Sequence, residues 1–195
     1  MNKYEIVVVG VSAGGLEALS LIVPSLPADF SLAMIVVQHM HKKSDNFLSN
    51  YINSNSALRV KEAMDKEPIL PGTVYIAPAN YHLLIEEDKT LSLSTESRIN
   101  WSRPSIDLLF ESAADVYDEK LIGLILTGAN EDGSNGLKKI KDFGGLTIVQ
   151  DPEAALSDFM PRAAIRATKP DHVLKLEEIS PFLSNINKST TRLDA

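Results

Sequence analysis

The feature that most constrains this chain lies at its start. Ile6-Val7-Val8-Val9 is a continuous apolar run, and Gly10-Val11-Ser12-Ala13-Gly14-Gly15 follows it at once. A strand that is apolar at every position, rather than at alternate ones, is covered on both faces, as strands inside parallel sheets are. The reading places a strand over residues 4–10 and a helix behind the glycine-rich turn. On that helix Leu16, Leu19 and Val23 recur at helical spacing.

The same alternation continues along the chain. Apolar runs occur at 32–38, 121–126, 146–149 and 172–176. Helical patterns lie between them, at Ile106, Leu109, Phe110 and Ala113, and again at Leu137, Ile140 and Lys141. Strands alternating with helices specify βαβ units and an α/β fold with a mainly parallel sheet. The middle differs. Short apolar stretches at 73–77, 82–85 and 90–93 are separated by Pro78-Ala79-Asn80 and Glu86-Glu87-Asp88-Lys89, which predicts an antiparallel β-hairpin insertion. Residues 94–101 read as a loop, and Pro104 stands where the first residue of a helix is expected. Residues 1–187 form one folded unit in this reading, and 188–195 a polar C-terminal tail.

Composition narrows the function. A chain of 195 residues is one domain by length. Nineteen Lys and Arg against 26 Asp and Glu give a formal charge of −7, which argues against nucleic acid as a partner. There is no cysteine, so a disulfide framework, a thiol nucleophile and thiolate-bound zinc are excluded. No apolar run approaches the length of a membrane span, and the first run is too short for a signal peptide. The expectation is a soluble, cytoplasmic protein without membrane insertion.

Three local readings compete at residues 10–15. A dinucleotide fingerprint needs a second glycine where Ser12 stands and an acidic residue where the second strand ends in Gln38-His39. A nucleophile elbow, G-x-S-x-G, uses its glycines to turn sharply and present Ser12 at the carboxyl edge of the sheet. A plain turn would use Ser12 as the N-cap of the helix. The residues of this segment alone leave the last two open.

The rest of the chain bears on the choice. His39 ends the second strand at the same edge as Ser12, where ligands of open α/β sheets bind. His41 reads as solvated and His82 as structural. A His39–His41 metal pair has no third ligand at suitable spacing, so neither metal nor cofactor is expected. The third long strand ends in Thr127-Gly128-Ala129-Asn130-Glu131-Asp132-Gly133, again at this edge. Asp132 can orient a histidine there; its plainer role is to cap the following helix. Glu131 reads as water-facing. Convergence of Ser12, His39 and Asp132 from three strand ends is a triad pattern. The order Ser12, Asp132, His172 would match the α/β-hydrolases, but only 11 residues precede Ser12, too few for the strands in front of that family's elbow.

These motifs, with Arg103-Pro104-Ser105-Ile106-Asp107, Gln150-Asp151 and Met160-Pro161-Arg162-Ala163-Ala164, closely resemble the catalytic domain of the CheB-type protein-glutamate methylesterases of bacterial chemotaxis. The resemblance runs from about residue 6 to 175 and implies a doubly wound, mainly parallel sheet with an antiparallel β-hairpin. It assigns Ser12 as nucleophile, His39 as general base and acid, and Asp132 as orienting carboxylate. It makes the backbone N–H groups of Ala13 and Ala129 the oxyanion donors. The substrates it implies are glutamate methyl esters on the cytoplasmic helices of chemoreceptors, with glutamine deamidation as a second activity. Two departures stand out. Ala13 replaces the usual Thr, and Thr127-Gly128-Ala129-Asn130 replaces Thr-Gly-Met-Gly. The family's regulatory receiver domain is not in these residues, so regulation is expected from a domain or partner outside the chain. Lys42, Lys43, Arg98, Arg103 and Arg162 would form a basic rim that steers an acidic receptor helix; the alternative is a scatter of solvated charges. A serine esterase acting on another ester, and a non-enzymatic binding module of the same fold, are the competing functions.

Overall fold

In a computed structural model describing residues 3–99 and 101–188, the first apolar run is a strand, β1 (Ile6–Val11), with every residue buried. Its neighbours are β2 (Ala33–Gln38) on one side and β7 (Leu121–Ile125) on the other, both parallel to it. The full sheet has seven parallel strands in the order β3-β4-β2-β1-β7-β8-β9, where β3 is Arg59–Glu62, β4 Thr73–Ile76, β8 Leu146–Gln150 and β9 His172–Leu174. A separate antiparallel pair joins β5 (His82–Ile85) to β6 (Leu91–Ser94). The expected α/β class, with its doubly wound parallel sheet and hairpin, is the one observed.

The strand sequences explain the two-sided burial. Val7, Val9 and Val11 of β1 face one apolar cluster, and Ile6 and Val8 face the other. Helices α1 (Gly15–Ile22), α2 (Phe47–Asn55) and α6 (Leu176–Lys188) cover the first face through Leu19, Ile22, Leu48, Ile52, Ile179 and Leu183. Helices α3 (Ile106–Tyr117), α4 (Ser134–Asp142) and α5 (Phe159–Thr168) cover the second, together with the hairpin residues Leu83, Ile85 and Leu91. Burial of each large aliphatic side chain contributes roughly 1.5–3 kcal/mol, so these two layers supply most of the folding free energy.

The chain winds outward from β1 through β2 in one direction and resumes at β7 in the other. The loops behind β1 and β7 therefore diverge to opposite faces and leave a crevice at the carboxyl edge. That is the topological switch point at which open α/β sheets bind ligands.

Three expectations need correction, and two elements were not foreseen. Residues 73–76 belong to the parallel sheet, between β2 and β3, and not to the hairpin insertion. Leu16 is exposed; the core face of α1 is carried by Ala18, Leu19 and Ile22 instead. Pro104 precedes the N-cap Ser105 of α3 rather than starting the helix. Two elements, α2 and β3, carry too few apolar residues to announce themselves. Of the expected polar tail, Lys188 ends α6 and residues 189–195 lie outside the described residues, as does Asn100 in the loop before α3.

Candidate active site

Ser12 and His39 follow directly on Val11 and Gln38, which are paired across β1 and β2. The His39 N–H donates to the Val11 carbonyl at 3.0 Å, so the two residues leave the sheet side by side. Ser12 does not cap α1. The N-cap is Gly14, at φ +84°, and no side chain fills the capping role. The Ser12 carbonyl accepts the Gly15 N–H at 3.0 Å, while its hydroxyl makes no hydrogen bond among the described residues. The plain-turn reading is overturned because the left-handed glycine, rather than the serine, starts the helix.

The elbow is braced from both sides. Gln38 Nε2 donates to the carbonyls of Ser12 and His39, each at 2.9 Å. A Cβ at Gly15 would overlap Gln38 Oε1, so glycine is what lets this amide lie under the turn. On the other side the Ser12 N–H donates to the Thr127 carbonyl at 3.0 Å, and Thr127 Oγ1 donates to the Ala13 carbonyl at 2.8 Å. Thr127 is itself held by Gln150 Oε1, which accepts its N–H at 2.8 Å. The strand-end residues singled out in the sequence thus form one scaffold.

Asp132 is fully buried and is shared between two tasks. Its Oδ2 lies 2.8 Å from His39 Nε2. The same carboxylate accepts the N–H groups of Ile106 (2.8 Å) and Asp107 (3.1 Å) and the hydroxyl of Ser105 (3.0 Å). It therefore sits on the N-terminus of α3, where the helix dipole favours a negative charge. The expected plainer role, a cap on the following helix, is not seen: the N-cap of α4 is Gly133, without a side-chain cap. Burial pushes the Asp132 carboxyl up, but the bonds from His39 and the Ile106 N–H outweigh it and hold the group below its ordinary value. Nearby Asp107, whose carboxylate accepts the Gly136 N–H at 2.8 Å, is pushed up to about 6 by burial and by the Asp132 charge.

An ionised carboxylate only accepts, so His39 Nε2 carries the imidazole proton and Nδ1 presents the lone pair. His39 is mostly buried, with 13 % of its side chain exposed. Asn130 Nδ2 lies 3.3 Å from Nδ1. The N–H groups of Ala13 and Ala129, both exposed residues, donate to no other group among the described residues. Beside Ser12 an apolar groove of about 470 Å³ is lined by Leu16, Met40, Phe47 and Leu48. A smaller cavity of about 110 Å³ lies against His39 and is lined by Lys42, Arg98 and Trp101.

The other histidines lie elsewhere. His82 is buried, accepts the Ser105 N–H on Nδ1 at 3.2 Å and faces the Ser97 carbonyl through Nε2 at 3.1 Å; burial lowers its pKa. It props the N-cap residue of α3, Ser105, whose hydroxyl in turn donates to Asp132. His41 is exposed, and His172, the first residue of β9, packs on the Phe182 ring at 4.5 Å. No group of three or more His, Cys, Asp or Glu with metal-holding geometry occurs among the described residues.

Comparison with known proteins agrees with this architecture. The sequence model of the family described as CheB methylesterase matches residues 7–183. The chain belongs to the CheB methylesterase family. A Leptospira interrogans protein, provisionally named a protein-glutamate methylesterase/protein-glutamine glutaminase, is 52% identical over 187 residues, 96% of this chain and 97% of that protein. The Thermotoga maritima protein-glutamate methylesterase/protein-glutamine glutaminase is 39% identical over 178 residues; the match takes in 90% of this chain and 52% of that protein. The crystal structure of the Thermotoga maritima CheB methylesterase catalytic domain superimposes with a TM-score of 0.90 at 38% identity, covering 94% of this chain and 98% of that one.

Within this CheB-family fold the expected basic rim is thinner than its sequence suggested. Arg103 spends its guanidinium on the Thr95 and Glu96 carbonyls and Asn80 Oδ1. Arg162 pairs with Asp158 and Glu153, each at 2.6 Å. Lys42 and Arg98 remain beside His39, joined by Trp101, which is 93% exposed. Trp101 was not singled out in the sequence. A lone tryptophan in a polar loop is the signal that could have drawn attention to it.

Proposed function

We propose that the chain is a protein-glutamate methylesterase working by serine acyl transfer, with Ser12 as nucleophile, His39 as base and Asp132 as the carboxylate that orients it. The observation that carries this reading is the buried 2.8 Å contact between Asp132 and His39 Nε2, which turns the Nδ1 lone pair toward the edge shared with Ser12. Nδ1 takes the Ser12 hydroxyl proton as Oγ bonds to the γ-carbonyl carbon of a glutamate methyl ester. The oxyanion is held by the N–H groups of Ala13 and Ala129; one such donor contributes roughly 3–4 kcal/mol to the transition state. Collapse breaks the ester C–O bond, and methanol leaves with the proton from Nδ1. Water then gives a proton to Nδ1 and attacks the acyl-serine, and glutamate is released as Oγ regains its proton. Glutamine follows the same path with ammonia as leaving group.

The substrate in this reading is a receptor helix in the cytoplasm. The apolar groove beside Ser12 suits one face of such a helix, and Lys42, Arg98 and Trp101 flank the approach. Among the described residues no helix is long and apolar enough to cross a membrane. Control in this reading comes from a receiver domain or partner outside these residues. Methanol release from methylated receptor membranes tests the proposal. Release should depend on the chain and vanish in Ser12→Ala; equal release by the two proteins rejects it.

A further inference from the structure

The Asn130 side chain bridges the two polar groups on which the base depends. Its Oδ1 accepts the Asp132 N–H at 3.2 Å, which assigns the amide orientation and directs Nδ2 at His39. Nδ2 lies 3.3 Å from His39 Nδ1. Because Nε2–H is committed to Asp132, Nδ1 is the acceptor nitrogen of a neutral ring, and Asn130 donates to it. This is the lone pair that must receive the Ser12 proton. The Ser12 hydroxyl makes no hydrogen bond among the described residues.

From the juxtaposition of Asn130 Nδ2 with His39 Nδ1 we infer that Asn130 is a positioning residue that latches the general base in its resting state. The inference rests on the triad reading above. A donor on Nδ1 stabilises the neutral ring and fixes its plane, and it opposes the imidazolium, whose Nδ1–H would face a second N–H. The amide must therefore turn aside as Ser12 delivers its proton. The latch holds the base oriented with its lone pair occupied, and it makes turnover wait on substrate-driven release of one side chain.

Asn130→Ala and the isosteric Asn130→Asp test this, read by the pH profile of kcat/KM and by the imidazole 15N resonances of His39. In Asn130→Ala the Nδ1 resonance should move toward the position of an unbonded lone pair. The acid limb of kcat/KM should shift to higher pH, and the plateau should rise about two- to tenfold, the range expected for one net hydrogen bond. Asn130→Asp keeps an acceptor for the Asp132 N–H but sets a carboxylate against Nδ1. Its acid limb should move further up and its activity at pH 7 should fall. An unmoved Nδ1 resonance in Asn130→Ala overturns the latch alone. So does rescue of the Ala variant by Asp, which would mark a purely structural bond to Asp132. Wild-type methanol release no greater than that of Ser12→Ala overturns the esterase reading, and the latch with it.

Discussion

The Asp132 carboxylate accepts the Ile106 N–H at 2.8 Å, across 26 residues of sequence, and meets His39 Nε2 through the same oxygen at 2.8 Å. One buried charge thus anchors the start of α3 and aims the imidazole. A substitution at this carboxylate therefore strikes the start of α3 and the proposed triad together.

Ser12→Ala and His39→Ala should each lower esterase activity about 10²- to 10⁴-fold or more with little loss of stability. The double variant should be scarcely worse than either single one, because the residues act as a unit. Asp132→Ala should lose activity and stability together, since orphaned buried donors cost about 1–3 kcal/mol each. His172→Ala, in β9, should retain full activity. Urea melts and ester hydrolysis on the same preparations give both readouts; a silent His39→Ala would exclude it as the base.

Asp107 predicts a stability slope with pH. Its folded value, about 6, lies above its ordinary 3.8. The contribution is fully present below the unfolded value and is lost as pH rises through 6, to an extent of up to about 3 kcal/mol. Asp132 has the opposite sign: its value is lowered, so its contribution is lost as pH falls below the ordinary carboxylate range. Asp107→Asn, which keeps an acceptor for the Gly136 N–H, should remove the loss between pH 4 and 7. Denaturant midpoints measured across that window for both proteins check this.

Gly15→Ala should damage activity more than stability. The added Cβ displaces the Gln38 amide that ties the Ser12 and His39 carbonyls together. A shift of about 1 Å in the nucleophile or base can cost on the order of 10²-fold in rate. A variant with wild-type kcat would show that Gln38 does not position the elbow.

Receptor recognition should rest on Trp101, Lys42 and Arg98. Trp101→Ala should raise KM for receptor membranes while sparing hydrolysis of a small ester. Lys42→Ala/Arg98→Ala should flatten the salt dependence of the receptor reaction, because steering by exposed charges is screened. Arg162→Ala should not, since its charge is already paired with Asp158 and Glu153. Salt series on the three proteins decide between a basic rim and a scatter of solvated charges.

The sequence by itself determined the parallel sheet and the placing of Ser12, His39 and Asp132. Short continuous apolar runs bounded by glycine and turn residues read as strands buried on both faces; Ser12 and His39 stand just behind the ends of two such runs and Asp132 in the loop after a third. Tertiary structure decided what local patterning does not encode. Residues 73–76 carry the same apolar signal whether they pair within a hairpin or in a parallel sheet, because parallel partners are far apart in sequence. At the edge, β3 shows only Val60 to the core, and α2 only Leu48, Ser49 and Ile52, too little periodicity to read. Asp132 capping α3 rather than α4, and Asn130 reaching the lone pair of His39, depend on loops brought together from distant parts of the chain. Hydrogen bonds of that kind follow from the packed fold, since only a fixed backbone brings their partners within about 3 Å.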